Sequence, residues 1–228
     1  MLTCVSIQNY RGFKSYRMEG LARVNLLVGK NNSGKTALLE GIQFLTSGGD
    51  PSVLAQVAGR RGEIIVTRDE PTESLGRRIL TDVAHFFHGH ALAEHVALSF
   101  SGDNGYPAVG VQIVSHKNER SATSPGGRTS PSGVSLKITG PAAKGERDDL
   151  GFAVSREGGV SFDQPPRFRR GSAPRQPLDR HVLFVGSDSL NSIDLANMWD
   201  EIIETKQELE VAEAMRVLEK DLDSVHFK

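Results

Sequence analysis

Residues Val24 to Leu45 read VNLLVGKNNSGKTALLEGIQFL. An apolar, strand-like run, Val24-Asn25-Leu26-Leu27-Val28, leads into the glycine-rich turn Gly29-Lys30-Asn31-Asn32-Ser33-Gly34-Lys35-Thr36. Ala37 to Thr46 follows with Leu38, Leu39, Ile42 and Leu45 at helical spacing. The turn is a full match to G-x-x-x-x-G-K-[ST], the phosphate-binding loop. Four specified positions match by chance in on the order of one chain in a hundred of this length, but the strand-before, helix-after setting makes the match specific. Each residue type has a task. Gly29 and Gly34 let the backbone curl, so that the amides across Asn31, Asn32 and Ser33 turn inward to phosphate oxygens. The helix beginning near Lys35 brings the positive end of its dipole to the same point. Lys35 adds a mobile cation for the β- and γ-phosphates, and Thr36 a hydroxyl for Mg²⁺. The expected ligands are ATP and Mg²⁺.

The 228 residues suffice for one large domain or a domain plus a subdomain. Lys and Arg number 27 against 28 Asp and Glu, so overall charge offers no case for nucleic-acid binding and any such case must rest on local patches. Cys4 is the single cysteine, which excludes an internal disulfide and, in an apolar first strand, reads as a buried, inert thiol. No apolar run is long enough to span a bilayer, and the N-terminus lacks a signal-peptide pattern. The expectation is a cytoplasmic protein with no membrane partner.

Outward from the loop, Leu2–Ile7 reads as a first strand and Ser15–Met18 as a second, joined by Asn9-Tyr10-Arg11-Gly12-Phe13. After the loop helix, Ser47-Gly48-Gly49-Asp50-Pro51 is a stop. Residues 52–62 have no clear period, Ile64–Val66 is a short apolar run, and Ser74–His90 carries a helical stripe. From Ala93 the texture becomes short alternating strands: His95–Phe100, Val109–Val114, Val134–Ile138 and Phe152–Ser155, with Val160–Phe162 as the second arm of a hairpin. Lys117–Ser132 and Gln164–Arg180 are rich in Pro, Gly, Ser and Arg and read as mobile loops. His181–Val185 reads as a buried strand, and Ser192–Glu204 as a helix with Leu195, Met198, Trp199, Ile202 and Ile203 on its inner face. Thr205-Lys206-Gln207-Glu208 fits a capping box for a last helix striped by Leu209, Ala212, Met215 and Leu218.

A first strand, then N-Y-R-G-F, then N-L-L-V-G-K-N-N-S-G-K-T-A-L-L-E, resembles the opening of AAA/ABC-type ATPase heads of the RecF, SMC and OLD-like class. The run from Val182 to Phe227 resembles the segment that precedes the signature in the same class, whereas the middle is similar only in texture. The resemblance implies an α/β P-loop NTPase of ABC-ATPase type with an antiparallel β meander after the loop helix. It divides the chain into a P-loop lobe (1–92), the meander (93–163), a mobile loop (164–180) and a strand plus helix pair (181–228). It implies ATP-driven pairing of heads in a homodimer or larger assembly, with DNA and a partner effector protein as further partners, in DNA repair or phage defence. It also places Tyr10 and Arg11 beside the nucleotide, Arg11 being the candidate ligand; a plain surface turn is the competing reading.

Such a head further needs a signature segment and a strand ending in Asp-Glu. Thr46–Gly49 has the look of a signature but sits at the end of the loop helix, and Ser155–Gly159 reads as a hairpin turn. Asp69-Glu70 follows an apolar run broken by Thr67-Arg68, and Asp188 after Val182–Val185 lacks a following Glu. No catalytic acid is assigned. The expectation is the N-terminal part of a head, incomplete at its C-terminus, which hydrolyses ATP only when a signature and an acidic strand complete it. The alternative is a non-hydrolysing nucleotide-binding regulatory or scaffold subunit. His85, His88, His90 and His95 lie close enough in sequence to suggest a metal site, against which a packing cluster with Phe86 and Phe87 is set. Arg167, Arg169, Arg170, Arg175 and Arg180 could touch DNA phosphates or line a solvated loop.

Overall fold

The computed structural model describes residues 1–68, 77–90, 92–115, 133–141, 147–163, 168–170, 182–186 and 192–222. They fall into two compact units, Met1–Val182 and Leu183–Lys228. Asp69, Glu70, Asp188, most of the two Pro/Gly/Ser-rich stretches, and Arg167, Arg175 and Arg180 lie outside the described residues.

The first unit is built on a seven-stranded sheet of order β10-β8-β7-β6-β5-β1-β2. Its strands are β1 (Cys4–Tyr10), β2 (Phe13–Glu19), β5 (Ala97–Gly102), β6 (Val109–Ser115), β7 (Val134–Pro141), β8 (Arg147–Ala153) and β10 (Phe168–Arg170). Every neighbouring pair is antiparallel. One face is buried with the period of two that strands impose: Val5 and Ile7, Leu98 and Phe100, Val109, Val111 and Ile113, Leu136 and Ile138, Leu150 and Phe152. The alternation read over β5, β6 and β7 is present, whereas β8 starts well before the expected Phe152–Ser155 and β10 lies within the stretch read as a mobile loop; through β5 the sheet continues directly onto β1. At Asn9, φ is 53° and the alternation slips by one residue, which turns Tyr10 into the core.

Against this face lies α1 (Lys35–Thr46), and α2 (Pro51–Arg61) packs on α1 within the same core. Helix α1 buries Leu38, Gly41, Phe44 and Leu45, whereas Leu39 is exposed, so the apolar stripe is rotated from the expected one. The stretch read as a stop also starts α2: the Asp50 carboxylate accepts from the Ser52 amide at 2.9 Å and Pro51 occupies the first turn. Both helices close in the same way. Gly48 and Gly62 adopt left-handed φ of 70° and 69°, while Gly49 and Glu63 donate back to Phe44 O and Ala58 O at 3.0 and 2.9 Å.

In the first unit four expectations are corrected. Val24–Val28 forms no strand: Arg23–Val24 is a bend, Asn25 closes on Ala22 through two 2.8 Å hydrogen bonds, and no described strand supplies a ladder. Val24, Leu26 and Val28 are 86, 86 and 81 % exposed, while Leu27 alone packs against the core. The helix expected over Ser74–His90 is instead β4 (Arg77–Asp82), then 3₁₀ turns at Val83–Phe86 and His88–His90. The cause is β3 (Ile64–Arg68), whose antiparallel pairing with β4 overrides the helical stripe; residues 74–76 are outside the described set. β9 (Gly159–Val160) pairs with β4 and not with β8, although the tight turn at Ser155–Gly159 is present. Cys4 is half-buried rather than buried.

In the second unit, α3 (Ser192–Thr205) appears where its stripe predicts. Leu195, Met198 and Ile203 are exposed and Trp199 half-buried, so Trp199 is not a core residue. Thr205 caps nothing: its hydroxyl bonds back to Glu201 O at 2.8 Å. Lys206, at φ 59°, and Gln207 close α3 on Ile203 O and Ile202 O, and α4 (Glu208–Met215) begins behind them without a side-chain cap. Of the last helix's expected stripe only Ala212 is buried. Residues 182–186 form no strand, and Leu183 and Val185 are exposed; His181 lies outside the described residues.

Candidate nucleotide-phosphate site

The Gly29–Thr36 loop caps α1. Ser33 N donates to Lys30 O at 3.3 Å, tightening the turn, and Asn32 and Gly34 adopt φ of 61° and 90°. Glycine is required at 34: a Cβ there would stand 2.7 Å from the Phe13 ring. At Gly29 a Cβ would meet Ser33 Oγ at 2.9 Å. Helix α1 starts with no side-chain cap and no acidic residue in its first turn, so its N-terminal amides face a ligand position without a protein competitor. Lys35 Nζ folds onto Gly29 O and Lys30 O, both at 2.8 Å, within reach of the loop's interior. Thr36 is exposed at the same edge. These groups fit a triphosphate with its cation: backbone donors, one lysine, one hydroxyl.

A cavity of about 760 Å³ opens on the loop, lined by Asn31, Asn32, Ser33, Gly34, Lys35 and Thr36 on one side. Arg11, Gly12, Phe13, Arg61, His85, His88 and His90 line the rest, and no carboxylate does so among the described residues. A smaller cavity of about 390 Å³ lies on the other side of the loop, between Phe13, Tyr16 and Leu26–Gly29.

The turn after β1 divides the two residues read together in the sequence. Tyr10 is a core residue, its ring edge-on to Phe100 with centroids 5.0 Å apart. Arg11 does line the cavity, but its guanidinium is held from behind. It donates to both Glu63 oxygens at 2.6 and 2.8 Å, contacts Glu40 Oε2 at 3.1 Å, and lies over the rings of Tyr10 and Phe86. Glu40, on α1 and 1 % exposed, also accepts from Tyr10 Oη at 3.2 Å and from Arg61 at 2.8 and 3.2 Å. Burial, then the neighbouring Glu40 charge, raise the Tyr10 phenol far above its ordinary range, so it stays protonated and donates. Burial works against the Arg11 charge, and the Glu63 hydrogen bonds lead the contacts that outweigh it, leaving a permanent cation. Arg60 donates to Gln43 at 2.8 Å, and burial lowers its pKa.

Glu40 and Glu63 were not singled out in the sequence. A glutamate in an apolar helix stripe was the available signal for Glu40; Glu63 had none, because the Gly62 turn positions it. The histidines do not form a metal cluster: no group of three or more His, Cys, Asp or Glu that could hold an ion occurs among the described residues. His85 packs edge-on against His90 with ring centroids 4.9 Å apart and stands 3.5 Å from Asp82, and His88 Nδ1 lies 2.8 Å from Arg11 O. Arg169 and Arg170 belong to β10. No described helix is long and apolar enough to cross a membrane.

Residues 1–74 match the AAA ATPase domain family model, a segment that contains β1, β2, the loop and both helices. An ATP/GTP phosphatase of Helicobacter pylori is 38 % identical over 45 residues, covering 20 % of this chain and 12 % of that protein. An uncharacterized protein of Methanocaldococcus jannaschii is 34 % identical over 47 residues, 21 % of this chain and 22 % of its own length. The chain thus spans only about an eighth and a fifth of these relatives. The family match is to an AAA ATPase domain and is confined to the segment that carries the loop.

Proposed function

We propose that the chain binds ATP with Mg²⁺ at Gly29–Thr36 as the phosphate-binding part of an ATPase head of the RecF, SMC and OLD-like class. The observation that carries this reading is the glycine loop seated on an uncapped helix at the mouth of a cavity large enough for a nucleotide. Asn31–Gly34 and the first amides of α1 bind phosphate oxygens, Lys35 swings from its carbonyl partners to the β- and γ-phosphates, and Thr36 would hold Mg²⁺. When bound, Mg²⁺ neutralises the phosphate charge that otherwise repels a nucleophile. Arg11 shapes the cavity wall and, being held by Glu63, contributes its field more than a flexible contact.

The cavity has no carboxylate among its described lining residues, and in this class of head a carboxylate orients the attacking water. We therefore place hydrolysis in a composite site, completed by a signature and an acidic strand from another segment or another head. DNA work, in repair or phage defence, is the role this class suggests; the cytoplasm is the matching compartment. The same absence of a carboxylate favours a second reading, a nucleotide-binding scaffold that does not hydrolyse. Titration calorimetry with MgATP tests the common part. Lys35→Ala is expected to weaken binding at least 10-fold, and equal affinity in both proteins would defeat the assignment. Steady ATP turnover by these 228 residues alone would sink the composite-site idea.

A further inference from the structure

The histidine turn at 83–90 lines the cavity, and the phosphate reading gives it no task. Three backbone-level links fix it to the turn after β1: Arg11 N donates to Phe86 O at 3.0 Å, Tyr10 bridges to Phe87, and His88 Nδ1 stands 2.8 Å from Arg11 O. The last contact decides the chemistry of His88. A carbonyl oxygen can only accept, so Nδ1 must carry the proton. In neutral imidazole the other nitrogen, Nε2, is then a bare acceptor. His88 is exposed and lines the larger cavity together with Lys35 and Thr36. A bare acceptor repels phosphate oxygens and recognises O–H or N–H. The smaller cavity presents mainly Leu26, Leu27, Val28, Phe13 and Leu38 and offers no comparable ring nitrogen.

We propose that His88 Nε2 accepts a hydrogen bond from the nucleoside end of the nucleotide whose phosphates occupy Gly29–Thr36, making His88 a specificity-determining residue. The donor is a ribose hydroxyl or an exocyclic base amine. This rests on the phosphate-site reading above.

Asparagine separates the two roles of His88, because its Nδ2 reproduces the Nδ1–H donor to Arg11 O and nothing replaces Nε2. Affinities for MgATP and for magnesium tripolyphosphate are measured by calorimetry. His88→Asn is expected to weaken MgATP by roughly 3- to 10-fold, the worth of one net hydrogen bond, and to leave tripolyphosphate unchanged. In the wild type, 2′-deoxyATP, 3′-deoxyATP and inosine triphosphate identify the donor: the analogue lacking it binds as weakly as ATP does to His88→Asn, and loses nothing more in the variant. An equal loss of both ligands in His88→Asn, unchanged ATP affinity, or wild-type binding indifferent to all three analogues would overturn the proposal. Failure of the phosphate reading looks different: tripolyphosphate then does not bind the wild type, or binds Lys35→Ala equally well.

Discussion

At the scale of single residues, Glu40 is the most consequential side chain outside the loop. It sits five positions after Lys35 on the same helix and joins Tyr10, Arg11 and Arg61. Removing one member of a buried ionic network leaves the others uncompensated. Glu40→Ala is therefore expected to lower stability by about 3 kcal/mol, the more exposed Arg61 contributing least, and urea unfolding would show it. A loss below about 0.5 kcal/mol would mean that water reaches the pair freely. Asp103 acts at the other end of β1, where its carboxylate accepts from Thr3 N at 2.8 Å, Cys4 N at 3.1 Å and the Thr3 hydroxyl. The Thr3 hydrogen bonds lead the causes that lower its pKa. A depressed carboxylate stabilises the fold above its ordinary pKa of about 4 and loses that effect as pH falls through the lower folded value. The stability gap between wild type and Asp103→Asn should accordingly be open at neutral pH and close below about pH 4; a gap that persists at low pH refutes the role.

At the scale of elements, the packing of α1 on the sheet rests on Gly41. A Cβ there would stand 2.7 Å from the Phe100 ring and 3.1 Å from Ile7. Alanine favours a helix interior over glycine by about 1 kcal/mol, so the sign of Gly41→Ala decides between propensity and packing. The contact distance predicts destabilisation, by about 1–3 kcal/mol, and a raised melting temperature would contradict it. Elements also mark the limit of what the sequence discloses. Alternation gave β5, β6 and β7 but only the last two residues of β8, and the glycine pattern with its following stripe gave the loop and α1, because the cause of each lies within the segment. Ser74–His90 misled because β4 exists through its pairing with β3, a partner the stripe does not contain. Thr205 misled because Lys206 adopts the left-handed turn usually left to glycine. The loop of the candidate site was legible for the first reason. Glu40, Glu63 and His88 were not, since their roles arise only when β1, α1, α2 and the 83–90 turn meet.

At the scale of the whole molecule, the apolar residues Val24, Leu26 and Val28 stand unpaired just before the loop. An alternating apolar segment to which no described strand supplies a ladder invites another strand. Leu26→Lys is expected to reduce concentration-dependent self-association in sedimentation velocity while leaving magnesium tripolyphosphate binding in place. Unchanged association would show that this segment is not the sticky one.

The single tryptophan, Trp199, lies on α3 in the unit Leu183–Lys228, whereas the three tyrosines, Tyr10, Tyr16 and Tyr106, all lie in Met1–Val182. The two units consequently carry different intrinsic fluorophores. Emission excited at the red edge, where only indole absorbs, reports the surroundings of Trp199 on α3. Near-ultraviolet signals from the phenols follow the sheet unit, Tyr10 foremost because it is packed on Phe100. A melting curve recorded through the indole thus has its probe in the unit that does not carry the Gly29–Thr36 loop.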